Sequence, residues 1–181
     1  MNHRRAMSLL EVTIVILILG LLSAVAAPRF SATLQSMELQ AATQQLVAHL
    51  RYARQVAMNQ GRTTTIQFDT VAATYSSDSV DAPHLRGTKL FVDLGTEFDG
   101  ALSLTADFDS STALSFNFEG VPYVGDTPMV LGQILLSSGD AQHEIEITPG
   151  TGQIQSGRVA SVDNLFAGVL AVASKVVVAA R

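Results

Sequence analysis

Arg4-Arg5-Ala6-Met7-Ser8-Leu9-Leu10-Glu11-Val12 opens an apolar stretch that reaches Ala27. Val12–Ala27 holds 16 residues without a charge, and Leu9–Ala27 holds 19 with Glu11 as the single charge. About 20 apolar helical residues cross the hydrocarbon core of a bilayer. A carboxylate at the mouth of such a run is expensive to bury and therefore marks function. Three readings fit the stretch. One is a removable secretory signal, with Ala24-Val25-Ala26 as its A-x-A site. Another is a plain membrane anchor. The third is a segment cut on the cytoplasmic side, between Ala6 and Met7, that then stays in the membrane. A signal peptide has no use for an acid at position 11, which favours the third.

Outward from this segment the composition is ordinary. The chain has 181 residues, 48% hydrophobic and 15% charged, a low charged share for a globular chain. The apolar excess lies at the two ends, Val12–Ala27 and Leu165–Ala180. One domain with an appendage fits the length. The net charge is −5, and −7 once Arg4 and Arg5 are removed. An acidic body excludes strong phosphate-backbone binding, so no nucleic-acid partner is expected. The absence of cysteine excludes disulfides, thiol catalysis and Cys-ligated zinc.

Ala6-Met7-Ser8-Leu9-Leu10-Glu11-Val12 resembles the cleavage and methylation motif of type IV prepilins and type II secretion pseudopilins. The resemblance implies that a prepilin peptidase cuts before Met7 and methylates its new amine. Ala6 takes the place where that family usually has glycine, and Met7 the place of the more usual phenylalanine. Glu11 then falls four residues after the new terminus. In a filament of packed apolar helices, the Met7 amine of a neighbouring subunit is its natural partner, since an unpaired buried carboxylate costs several kcal/mol. Gly20 and Pro28 match the family's helix-loosening landmarks. His3, Arg4 and Arg5 before the span, with Arg29 alone directly after it, put the start in the cytoplasm and the body in the periplasm.

Pro28 removes a backbone donor and can kink a helix. Beyond Ser31, Leu39, Ala42, Leu46, Leu50, Ala53 and Ala57 recur at three- and four-residue steps, the stripe of a core-facing helix. Asn59-Gln60-Gly61 reads as its stop. Thr63–Phe68, Lys89–Leu94, Leu114–Phe118, Val130–Leu136 and Glu144–Thr148 read as strands. Ser76–Pro83, Asp107–Thr112, Gly120–Pro128 and Pro149–Gly157 read as turn clusters, with a hairpin at Gly150-Thr151-Gly152. The expected fold class is α+β: a long N-terminal helix, its first half membrane-spanning, packed on an antiparallel β-sheet body. The expected organisation is a leader at 1–6, a membrane and assembly helix at 7–28, an amphipathic helix at 29–60 and a β-rich periplasmic body at 61–181.

Arg51-Tyr52-Ala53-Arg54-Gln55-Val56-Ala57, Gly61-Arg62, Phe118-Glu119-Gly120 and Gly152-Gln153-Ile154 are similar to the GspH/FimT minor pseudopilins. That resemblance implies a pilin-like structural subunit in the periplasmic fibre of type II secretion, embedded in inner-membrane lipid and assembled with other pseudopilins. A minor type IV pilin, serving at a filament tip in priming, adhesion or DNA uptake, is the alternative. No enzyme emerges. His3, His49, His84 and His143 are scattered and lack ligand spacing. Asp107-Phe108-Asp109-Ser110-Ser111 starts like a calcium loop but lacks glycine at its sixth place and glutamate at its twelfth. No metal or cofactor is expected. Asp93, Glu97 and Asp99 read as a solvated acidic loop. The apolar tail from Leu165, broken by Lys175, reads as an element completing the body, as a surface for a neighbouring subunit or as a membrane contact.

Overall fold

A computed structural model describes residues 9–83, 85–98 and 102–159, apart from the side chains of 24–32 and of residue 86. The first element, α1, runs unbroken over Leu9–Gln60, 52 residues or roughly 78 Å at 1.5 Å per residue. It continues through Pro28 without interruption. Gly61 ends it in the left-handed region at φ 63°, and the Arg62 amide returns to the Ala57 carbonyl at 3.2 Å.

Ten strands follow. β1 (Thr64–Asp69), β2 (Thr74–Ala82), β3 (Leu85–Asp93), β5 (Ala113–Phe116), β6 (Pro122–Val124) and β7 (Thr127–Pro128) form one sheet in the order β3-β2-β1-β5-β6-β7. β4 (Ser103–Asp107), β8 (Gln133–Ser138), β9 (Ala141–Ile147) and β10 (Ile154–Val159) form a second, in the order β10-β9-β8-β4. All pairings are antiparallel. A short helix, α2 (Leu94–Glu97), follows β3. The α+β architecture expected from the sequence is the one observed.

α1 holds the two sheets together, packing on β1 and β5 of the first and on β8, β9 and β10 of the second. Leu39, Ala42, Leu46, Leu50, Ala53 and Ala57, the stripe read from periodicity, are all fully buried. They meet Ile66, Leu114 and Phe116 from the first sheet and Ile134, Leu136, Ile145 and Ile147 from the second. Phe68 and Phe108 place their rings 5.4 Å apart across the same core. Two buried hydroxyls spend their hydrogens on helix carbonyls: Thr43 donates to Leu39 at 2.7 Å and Thr64 to Ala53 at 3.1 Å.

Several local expectations are corrected. Ser76–Pro83 is mostly strand β2, because Tyr75, Ser77 and Val80 point inward and the Ser77 hydroxyl donates to the Thr65 carbonyl. Gly120–Pro128 contains β6 and β7, and Pro149–Gly157 contains the start of β10. The run expected from Val130 becomes strand only at Gln133, since the Val130 and Leu131 amides donate to the Asp109 carboxylate, each at 2.8 Å. Phe118 is an exposed turn residue rather than the end of a strand. Leu94 opens α2 instead of closing β3. Asp93 is no plain loop acid: its Oδ1 accepts from the Gly95 and Thr96 amides and caps α2. Its bonds to the Thr96 hydroxyl and amide hold the carboxyl below its ordinary range. Asp99 lies outside the described residues.

Candidate assembly site

The amino-terminal arm of α1 leaves the body as a bare apolar rod. Its large aliphatic side chains between Leu9 and Leu22 are exposed by 42% at Val12 up to 84% at Leu9. No side of the helix is covered, so this surface is built for an environment other than water. Glu11 sits in the first turn, where the positive end of the helix dipole favours an anion. Among the described residues no side chain pairs with it. A Cβ added at Gly20 would meet nothing within 4 Å, so nothing in the chain itself requires glycine there. Among the described residues no helix is long and apolar enough to cross a membrane; the arm's side chains are described only as far as Ser23. Ala6 and Met7, the residues flanking the expected cut, lie outside the described residues, and so does the side chain of Pro28.

At the carboxy-terminal end of α1, within the body, the family-like motifs converge. Arg54 donates through Nε to the Gly120 carbonyl and through Nη2 to the Thr151 carbonyl, both at 2.9 Å. Arg51, one turn earlier, donates to the Ile154 carbonyl at 2.9 Å. The backbones of Gly120 and Gly152 come so close that a Cβ on Gly152 would collide with the Gly120 carbonyl oxygen. The helix end, the turn after β5 and the hairpin between β9 and β10 are thus locked by two guanidiniums and two glycines. That hairpin is the one read from Gly150-Thr151-Gly152, and Ile154 pairs with Ile147 across it.

The other candidates resolve into structural roles. The His49 ring nitrogen Nδ1 lies 2.8 Å from the Tyr75 hydroxyl. Burial raises the Tyr75 phenol far above its ordinary value, and the charge of Glu97 adds to this, so the phenol stays neutral in water at any ordinary pH. In the calcium-like segment the carboxylates already serve backbone amides: Asp107 accepts from Ser110, and Asp109 from Val130 and Leu131. Among the described residues no group of three His, Cys, Asp or Glu stands ready for a metal ion. His3 and His84 lie outside the described residues. The Asp109 clamp was missed because its partners are 21 and 22 residues away; the positive φ of Asp109 and Ser110 is its local trace.

Comparison with known proteins agrees with this geometry. The family described as type II transport protein GspH matches residues 42–152, more than half of the chain. No curated protein matches. Among solved structures, the type IV minor pilin FimU of Pseudomonas aeruginosa is 23% identical with a TM-score of 0.50, covering 68% of this chain and 94% of its own. The minor pseudopilin EpsH of the type 2 secretion system of Vibrio cholerae is 13% identical with a TM-score of 0.50, covering 67% and 97%. Both share the fold of a long helix on an antiparallel body. The exposed apolar arm, the helix-to-hairpin lock and the family match lead to one conclusion: the chain belongs to the GspH family, a structural subunit of the pilin-like kind and not an enzyme.

Proposed function

We propose that this chain is a minor pseudopilin of a type II secretion system. A prepilin peptidase cuts between Ala6 and Met7 and methylates the Met7 amine. Residues 1–6 are the leader that is lost. Residues 7–28 hold the subunit in inner-membrane lipid and later pack against other pseudopilins in the periplasmic fibre. Residues 29–60 and 61–181 form the periplasmic body. The observation that carries this reading is the bare apolar arm with its single carboxylate, Glu11. Within a fibre, Glu11 meets the methylated amine of a neighbour and sets axial register. Gly20 and Pro28 ease the helix as it leaves the bilayer for the fibre; the empty space around Gly20 leaves room for a neighbouring helix to approach.

Reading the mature amino terminus by mass spectrometry tests this. N-methylated Met7 is expected. A mature protein that starts at Ala27, or one that keeps Met1, would overturn it.

The FimU likeness, equal in TM-score to that of EpsH, supports a second reading as a minor type IV pilin at a filament tip. Co-purification separates the two: secretion pseudopilins are expected with this chain, pilus subunits on the second reading. The net charge of −5 argues against DNA capture, and no gel shift is expected even at low salt.

A further inference from the structure

Beside its buried stripe, the end of α1 carries a polar one. Arg51, Arg54, Gln55 and Met58 follow at steps of three and four residues and share one face of the helix. With Gln153 and Ile154 they line a cleft of about 380 Å³. Met58 is 45% exposed there, and Phe118, two residues before Gly120, is 60% exposed. The turn that presents Phe118 is fixed, because Asn117 Oδ1 accepts from the Glu119 and Val121 amides at 3.0 and 2.8 Å.

The cleft holds two positive charges and no negative one. Among the described residues the single ion pair joins Lys89 to Asp81, so no carboxylate lies within 4.0 Å of Arg51 or Arg54. Glu119, next to Gly120 in sequence, accepts instead from the Asn117 side-chain amide at 3.5 Å. Arg51 donates from Nη2 and Arg54 from Nε and Nη2, all to backbone carbonyls. Those carbonyls fix the guanidiniums without cancelling their charge. Arg51 Nε and Nη1 and Arg54 Nη1 have no hydrogen-bond partner among the described residues. Such free N–H groups suit a carboxylate, which accepts two of them side by side.

Position and charge narrow the source of that anion. Arg54 stands about 39 Å along the unbroken helix from Pro28, too far up the rod for lipid headgroups in the inserted subunit. Two cations on a chain of net charge −5 are too few to hold a nucleic-acid backbone. Met58 and Phe118 offer apolar contact beside the charges, as a peptide side chain requires. The cleft also lies on α1 itself, the element through which the fibre packs.

We propose that this cleft receives an acidic side chain of a neighbouring pilin-like subunit, its carboxylate on the free N–H groups of Arg51 and Arg54 and its apolar surroundings against Met58 and Phe118. The proposal rests on assembly with other pilin-like subunits, which both readings above share.

A peptide titration tests the cleft without assembly. In the detergent-solubilised full chain with nitrogen-15 arginine, N-acetyl-Leu-Glu-amide is expected to shift the Arg51 and Arg54 Nε–H signals saturably. N-acetyl-Leu-Gln-amide is expected to leave them in place, and Arg51→Gln to abolish the Arg54 response. No shift, or an equal shift with the glutamine peptide or with inorganic phosphate, overturns the proposal. Cross-linking tests the occupant. The native lysines are Lys89 and Lys175 alone, so Arg51→Lys adds an amine at the cleft while keeping the charge. Carbodiimide treatment of assembled fibres is expected to join that amine to an Asp or Glu of another subunit, identified by peptide mass spectrometry. Gln67→Lys, on the exposed side of the other sheet, is expected not to reach that residue. An amide formed only within one chain, or none from a variant that enters fibres, overturns the proposal and leaves the assembly reading standing. A parent chain absent from every fibre overturns both.

Discussion

Arg54 Nε and the Gly120 carbonyl oxygen, 66 residues apart in sequence, meet at 2.9 Å and fasten the end of α1 to the turn after β5. The same guanidinium holds the Thr151 carbonyl. Replacing Arg54 by Met keeps the stem's apolar bulk but leaves both carbonyls without that donor. The expected loss is about 1–3 kcal/mol in urea unfolding of the detergent-solubilised chain. Arg54→Lys should recover only part of it, because one ammonium cannot reproduce the planar fork.

Gly152 has φ 65° and its backbone lies against Gly120. Gly152→Ala therefore meets both a disfavoured backbone conformation and a collision. The expected destabilisation is about 2 kcal/mol or more. Gly150→Ala, with φ 76° but open space, should cost less. Comparing the two midpoints separates sterics from backbone strain.

Asp109 fixes the Val130 and Leu131 amides with one carboxylate. Asp109→Ala is expected to destabilise by about 1–2 kcal/mol and to speed amide exchange at those two positions. Millimolar calcium should leave the melting temperature of the parent chain unchanged, because the carboxylate is already occupied. A calcium-dependent rise would contradict this account of the segment.

Partial burial pushes the His143 imidazole below its ordinary value, and the charge of Arg158 adds to the shift. The folded state thus holds its proton less tightly than the unfolded state, whose value stays near 6.5. Stability from this group is complete above that unfolded value. It declines as pH falls toward the lowered folded value, because the unfolded chain takes up the proton first. Stability should therefore drop on acidification from about pH 7 to pH 5, and His143→Gln should flatten that slope. Parallel slopes for parent and variant would contradict the assignment.

Glu11→Ala should leave membrane insertion intact, since the change makes the arm more apolar, yet block incorporation into the fibre. Fractionation reads the first outcome and shearing of assembled fibres the second. Normal incorporation of the variant would remove Glu11 from the register mechanism.

The parts of this fold legible in the sequence are those with local, periodic causes. The buried stripe from Leu39 to Ala57 follows from 3.6-residue spacing, and the hairpin at Gly150–Gly152 from its glycines. β4 is absent from the strands read above, although Leu102, Leu104, Ala106 and Phe108 alternate with polar neighbours and are all buried. β2 was hidden because its serines imitate a turn cluster. Ser77 and Ser79 act through hydroxyl bonds to Thr65, which only the folded sheet brings near. The Arg54 and Asp109 clamps were illegible for the same reason. Each joins a side chain to a distant backbone group, and no sequence spacing encodes that distance.

The uninterrupted helix has a mechanical consequence. Both sheets hang on the same rod, β1 and β5 on one flank and β8, β9 and β10 on the other. A push along the arm therefore arrives at the whole body at once, with no hinge at which the two sheets could yield separately.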